Sequence, residues 1–435
     1  MKKIDLDLCE DAVKMALKMG AQEAEAYATS EETIKTDVRY NVIANVTAHT
    51  KGAIGLRVFV NKGLGFASTN NVRYLEEACE NAVRLARAAP RDEFSILPQP
   101  KKGGTVKVFD VPLSIEDCVS YTDDLIRSAR GDKRVSIGMG GFSSCIQETY
   151  VANSNGINAS EKRSDFEYWA LGMCKDGDEV TDEVFRWGGT HFVHEIDTGK
   201  VGRAVGNAVL GLRGAKKTEG VQGEIILAPE ALSEYLLRVL TESINADNVQ
   251  KGVSKLKLKD MFSNHLTIVD DGSLPGGFST SSFDREGVPH KPLTIIDRGE
   301  LKSYLHNTYT ANKAGTSSTG HAYGGPTSAS SIAPTNFVIK PGDKRLKTII
   351  SEVDKGVIAE YFTGSVDMAS GDFSGALKAG HLIDRGEITI PVKEVMIAGN
   401  FFDLLKNISG ISRESRDLGG YKIPYIKTGG VSITS

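Results

Sequence analysis

Cysteine is scarce in this chain, five in 435 residues. Cys9, Cys79, Cys118, Cys145 and Cys174 are odd in number and widely spaced, and no Cys-x-x-Cys occurs. That excludes a disulfide framework and reads as a reduced, cytoplasmic protein. No cysteine follows Cys174, so the C-terminal half cannot supply a thiolate ligand. No apolar run reaches about 18 residues, so no membrane-spanning helix is expected. The start, MKKIDLDLCED, has two lysines and then acids, without the apolar stretch of a signal peptide. Basic residues do not dominate either: 52 Lys and Arg stand against 56 Asp and Glu, for a net charge of −4. A general nucleic-acid binder would show a basic stripe, so nucleic acid is not an expected partner. There is no Gly-x-Ser-x-Gly elbow and no phosphate-binding loop. Gly138-Met139-Gly140-Gly141 lacks a following helix and reads as a turn. No repeat at a fixed period and no low-complexity segment appear.

What is present is ordinary globular composition, 40% hydrophobic and 25% charged, with 46 glycines that imply many turns. The length suggests about two or three domains. Leu8, Ala12, Met15, Ala16 and Met19 have helical spacing, and Gly20 is a plausible stop. Residues 24 to 68 alternate apolar and polar, which predicts a meander of antiparallel strands. Val72 to Ala89 reads as an amphipathic helix ended by Pro90. Residues 90 to 114, rich in proline and glycine, read as a linker. Ser114 with Glu116 and Asp117 predicts a helix start running to Arg130. Strands resume from Val135 to Arg186, with a hairpin at Asn153-Ser154-Asn155-Gly156. A further helix is expected over His191 to Gly211, and another over Leu346 to Lys355. Asp297-Arg298-Gly299 and Asp384-Arg385-Gly386 read as hairpin tips, with a helix turn near Tyr309. The fold class is therefore α+β, with an N-terminal domain over 1–220 and a β-rich, barrel-like domain over 221–435.

The stretch Gly223 to Leu240 organises the second half. Glu224 to Leu227 form a short strand, and Pro229 stands where a helix begins, where its missing N–H costs nothing. Leu232, Leu236, Val239 and Leu240 share one face of that helix. Glu230 and Glu234 lie one turn apart near its positive end, and Arg238 can pair with Glu234. A His-Glu-x-x-x-His helix would hold zinc with the glutamate as general base. Here Pro229 and Glu234 stand at the two histidine positions. His191, His194 and Glu195 have a spacing seen in metal sites, but no third ligand can be named, and surface or structural histidines fit better. Residues 270–321 and 363–408 are long and polar, as segments near a function often are.

A set of short segments recurs in order: Asp284-Arg285-Glu286-Gly287, Gly299-Glu300-Leu301, Thr308 to Lys313, Ser318-Thr319-Gly320, Ser370 to Gly375, and Pro391-Val392 before Ile397-Ala398-Gly399-Asn400. Gly20-Ala21 with Glu25, Gly55-Leu56-Arg57-Val58 and Gly65-Phe66-Ala67-Ser68 add the N-terminal half. Together they resemble the TldD/PmbA family over essentially the whole chain. The resemblance implies a cytoplasmic two-domain protein of a peptidase system, often a heterodimer of two related chains. The TldD-type chain carries zinc on His-Glu-x-x-x-His plus a downstream cysteine. This sequence departs from that pattern at each ligand, so it is similar to the PmbA/TldE type. The implied role is a noncatalytic subunit that completes the substrate channel for peptides or unfolded proteins. No cofactor is then expected in this chain, and zinc is expected in the partner. Glu230 matches the glutamate position but has no metal-bound water to activate. Asp284, Glu286, Asn312, Thr319 and Asp372 are the cavity candidates. Each can equally cap a turn. The alternatives are a homodimeric binding or regulatory protein, in line with the family's "modulator of DNA gyrase" label, and an enzyme using acid pairs without metal.

Overall fold

The computed structural model describes residues 3–218, 220, 223–233 and 236–434. The fold is α+β, as the sequence predicts. Helix α1 (Leu6–Lys18) is started by Asp5, whose carboxylate accepts from Leu8 N at 3.0 Å. Strands β1 (Glu23–Arg39), β2 (Val42–Val60) and β3 (Gly63–Thr69) form the expected meander. Tyr40 and Asn41, both at positive φ (47° and 70°), close the β1–β2 hairpin in the left-handed geometry that matches strand twist. Helix α2 (Leu75–Ala88) follows, then a segment without helix up to Ser114. Helix α3 (Ile115–Ala129) opens with a capping box between Ser114 and Asp117. Strands β4 (Val135–Asn153) and β5 (Asn158–Asp176) make a second long hairpin, followed by β6 (Glu179–Val180) and β7 (Val184–Thr190).

Among the described residues these strands form one seven-stranded sheet, ordered β3-β2-β1-β4-β5-β6, with β7 also on β5. One apolar cluster packs α1 and α2 on this sheet, and another packs α3 and helix α4 (Thr198–Gly211) on it. The expected helix over 191–211 begins only at Thr198. Asp197 caps it by accepting from Lys200 N at 2.8 Å, and His191 to Ile196 approach it as extended chain and one short turn. The expected domain boundary near 215–222 includes Glu219, Val221 and Gln222, which lie outside the described residues.

The second half begins with β8 (Glu224–Leu227), α5 (Pro229–Ser233), α6 (Leu236–Ser243) and α7 (Ala246–Gln250). Leu232, Leu236, Val239 and Leu240 are fully buried in its core, as their spacing predicts. Short strands β9 (Ile268–Asp270), β10 (Leu293–Asp297) and β11 (Glu300–Leu301), helix α8 (Thr308–Lys313), and β12 (Ala322–Tyr323), β13 (Ser331–Ile332) and β14 (Phe337–Ile339) follow. Helix α9 (Leu346–Ser351) is shorter than expected, because Lys355 already opens β15 (Lys355–Val366), which pairs parallel to β8. Then come β16 (Asp372–Asp384), β17 (Glu387–Pro391), β18 (Val395–Asn400), α10 (Phe401–Lys406), β19 (Ile408–Leu418), β20 (Tyr421–Thr428) and β21 (Ser432–Thr434). Among the described residues most of these strands belong to a twelve-stranded sheet, with β8 between β20 and β15.

Candidate functional site

Two places gather charge where the two halves meet. The first is Glu230. Strand β8 delivers the chain to Ala228, whose carbonyl accepts from Ala231 N at 3.0 Å and Leu232 N at 3.3 Å to start α5. Pro229 fits there because a first-turn N–H has no helical partner to lose. Glu230 is only 6% exposed. Its Oε1 accepts from Arg416 Nη1 and lies 3.6 Å from Arg186 Nε. Arg186 comes from β7 and also donates to Glu360 Oε2 at 3.3 Å. Arg416 comes from β19 and donates to the Tyr425 hydroxyl at 2.6 Å. Glu230 Oε2 has no hydrogen-bond partner among the described residues. These side chains border a cleft of about 750 Å3, with Trp187, Lys200 and Asp417 on its other sides.

That arrangement does not fit zinc. Zinc in peptide hydrolysis wants imidazole or thiolate donors and an open position. Pro229 has no side-chain donor atom, and Glu234 lies outside the described residues. The groups nearest Glu230 are two guanidinium cations, which repel a dication. Among the described residues no group of three or more His, Cys, Asp and Glu is arranged to hold a metal ion. His191, His194 and Glu195 do not converge either. The His191 ring stacks on Phe278 (centroids 5.5 Å apart), with Nδ1 2.8 Å from Ser164 O. Glu195 accepts from the Thr190 hydroxyl at 2.6 Å.

The second place is a buried ion network on the seam. Arg57, from β2, donates to Glu25 Oε2 and Glu286 Oε1, each at 2.7 Å. Arg285 Nη1 donates to Glu25 Oε1 at 2.9 Å, and its guanidinium lies 4.5 Å from the centre of the Tyr27 ring. Glu286 Oε2 accepts from Thr308 N at 2.9 Å. Burial pushes the Glu286 carboxyl up, but Arg57 and the bonds from Thr308 outweigh it and hold the group below the usual range. Asp284 goes the other way. Burial and the Glu286 charge raise it to about 8, against backbone donors at Glu286 N (2.8 Å), Val288 N (3.0 Å) and Ala322 N (3.0 Å).

The sequence-predicted residues are thus only partly gathered. Asp284 and Glu286 stand behind Arg57 and Arg285, and the arginines face the cavities. Thr319 belongs to an adjoining network: its hydroxyl is 2.8 Å from His321 Nδ1, and His321 Nε2 is 3.0 Å from Asp270 Oδ1. Nearby, burial and His321 lower His290 to about 4. Asn312 ties α8 to the 90–114 segment by donating to Phe94 O at 3.1 Å. Asp372 sits apart and exposed, holding a turn through Ser370 Oγ and Asn400 Nδ2, each at 2.8 Å. Sequence reasoning did not single out Arg186, Glu360 or Arg416. The one signal for Arg186 and Glu360 was a charge inside a largely apolar strand, and Arg416, in the polar run Ser412 to Asp417, had none. Glu25, Arg57 and Arg285 appeared only as members of family-like segments.

Comparison with known proteins accounts for nearly all of the chain. PmbA/TldA metallopeptidase domain 1 matches residues 24–88, the central domain of that family 111–210, and its C-terminal domain 221–435. An uncharacterised protein of Methanocaldococcus jannaschii is 29% identical over 412 residues, covering 91% of this chain and 93% of that one. Metalloprotease PmbA of Escherichia coli O157:H7 is 26% identical over 458 residues, covering 97% and 96%. Among solved structures, TldE from Thermococcus kodakarensis superposes with a TM-score of 0.91 at 23% identity, covering 98% of this chain and all of that one. A putative modulator of a DNA gyrase from Thermotoga maritima gives 0.90 at 21% identity, covering 98% and 99%. At those identities the structures speak for the fold.

Proposed function

Because this chain belongs to the PmbA/TldA metallopeptidase family, matched in three stretches between residues 24 and 435, we propose that it is a PmbA/TldE-type subunit. It works with a TldD-type chain that carries the zinc, and the pair cleaves peptides or unfolded protein in the cytoplasm. The observation that carries this reading is the clamp on Glu230. At the position where a zinc peptidase of this kind keeps its general base, Oε1 is already occupied by Arg416 and Arg186. The residue before it is a proline. With no imidazole or thiolate beside it among the described residues, Glu230 has no metal-bound water to activate. The same clamp gives the cleft a rigid floor, which suits a structural part in a shared channel.

The test is metal content and peptidase activity, on this chain alone and after mixing with a TldD-type chain from the same source. Alone, the chain should hold no stoichiometric zinc and leave unstructured peptides intact. The mixture should cleave them and stop when a chelator is added. One zinc per chain together with cleavage by the chain alone would sink the reading.

A further inference from the structure

A second cavity of the seam, about 530 Å3, lies away from Glu230 and takes no part in the function proposed above. Arg57, Arg285 and Ser330 are among its polar lining residues, and Phe59, Phe66 and Ile332 among its apolar ones. Leu64 and Ile96, exposed to 43% and 40%, also line it. Three of these residues carry buried polar atoms with no hydrogen-bond partner among the described residues: Arg57 Nε, Arg285 Nε and Ser330 Oγ.

The surrounding acceptors are already used. Glu25 receives Arg285 on one oxygen and Arg57 on the other, and Glu286 receives Arg57 on one and Thr308 N on the other. At the cavity's edge Asp247 is bound to Lys251 at 2.6 Å and Asp92 to the Tyr309 hydroxyl at 2.7 Å. The unpartnered atoms on its lining residues are therefore donors, two of them on guanidinium groups held in place by two carboxylates and, for Arg285, an aromatic face. Buried donors in native proteins are normally satisfied, so a set of them on one cavity points to an acceptor supplied from outside. A guanidinium fork matches a carboxylate in shape as well as charge. The apolar lining residues fix what else the ligand must carry.

We propose that this cavity binds a carboxylate carried on an apolar body, either a free acyl amino acid or the carboxyl end of a peptide. The site lies wholly within this chain, so it stands or fails independently of any catalytic partner.

The experiment is calorimetric titration of the full chain at neutral pH with N-acetyl-leucine, N-acetyl-leucinamide, and an acetylated tetrapeptide ending in leucine as free acid or as amide. At least one free acid should bind, and its amide should bind about tenfold more weakly or not at all. Binding by N-acetyl-leucine as well as the peptide marks a free acid as sufficient. Binding by the peptide alone marks a peptide end. Ser330→Ala should weaken the interaction severalfold. Leu64→Trp, which fills the cavity from an exposed position, should abolish it and leave the melting temperature in place. The proposal is overturned if no free acid binds, if acid and amide bind alike, or if Leu64→Trp binds as the parent does.

Discussion

At Asp284 two effects oppose each other. Burial and the charge of Glu286 favour the protonated form, and three backbone N–H donors favour the ionised one. The first pair wins and places the group at about 8. In the unfolded chain an aspartic acid titrates at about 3.9. The folded state therefore keeps a proton that the unfolded state has released over most of that interval. The contribution of Asp284 to stability then falls as pH rises above about 4, opposite in sign to that of His290, which grows between about 4 and 6.5. Asp284→Asn should remove this falling contribution even if it lowers stability throughout, because the amide cannot titrate. Urea midpoints above about pH 6.5, beyond the His290 interval, measure it. A fall that survives the substitution would assign the proton elsewhere. The sequence marked Asp284 as a site candidate through its segment, but its proton depends on Glu286 and on desolvation, which only the folded chain supplies.

Gly65 decides how one strand meets one helix. A Cβ there would stand 1.9 Å from Ala82 O and 2.6 Å from Ala86 N, so β3 and α2 pack backbone against backbone. Gly65→Ala must push the helix outward, at a cost of about 2–3 kcal/mol. A thermal melt reads this as a clear loss, and a change below about 0.5 kcal/mol would show that the contact yields freely. The elements themselves were largely legible. Helices α1, α2 and α3 follow from periodicity, with the cap at Ser114 for α3, and the hairpins follow from alternation and turn residues. Two helix ends were not. Nothing local in His191 to Ile196 forbids a helix, yet His191 is held by Ser164 O and by Phe278 from distant elements. Lys355 likewise leaves the helical pattern because Asp384 of β16 offers it an antiparallel partner, and β8 pairs in parallel from Gly356 onward.

For the molecule as a whole, the network of Glu25, Arg57, Arg285 and Glu286 ties the N-terminal sheet to the long polar stretch of the second half. The bond between Arg285 and Glu25 closes a separation of 260 residues. Removing Arg285 leaves Glu25 with Arg57 on Oε2 but with a buried Oε1 that has lost its charged donor, at a cost of about 1–3 kcal/mol. Arg285→Ala should therefore lower the calorimetric melting temperature by several degrees and reduce the stability of both halves together. A melt that shifts only slightly would mean that water or a neighbour satisfies Glu25 in its place. The polar stretch over 270–321 stood out in the sequence as too long for a simple loop. Its use became visible once Ser282 N was seen donating to Glu161 and Arg163 donating to Phe278 O across the seam.

The sequence by itself determined the fold class, most of the N-terminal elements in order, the buried face of Leu232, Leu236, Val239 and Leu240, and the proline that stands before Glu230. Each of these rests on local periodicity, on turn chemistry or on the identity of one side chain. Tertiary structure decided what Glu230 does, since Arg186 and Arg416 reach it from strands β7 and β19. It also decided that Arg57 and Arg285, rather than Asp284 and Glu286, face the seam cavities. Charge pairing in a buried place depends on which groups meet there and on how little water remains, and neither is encoded in spacing along the chain.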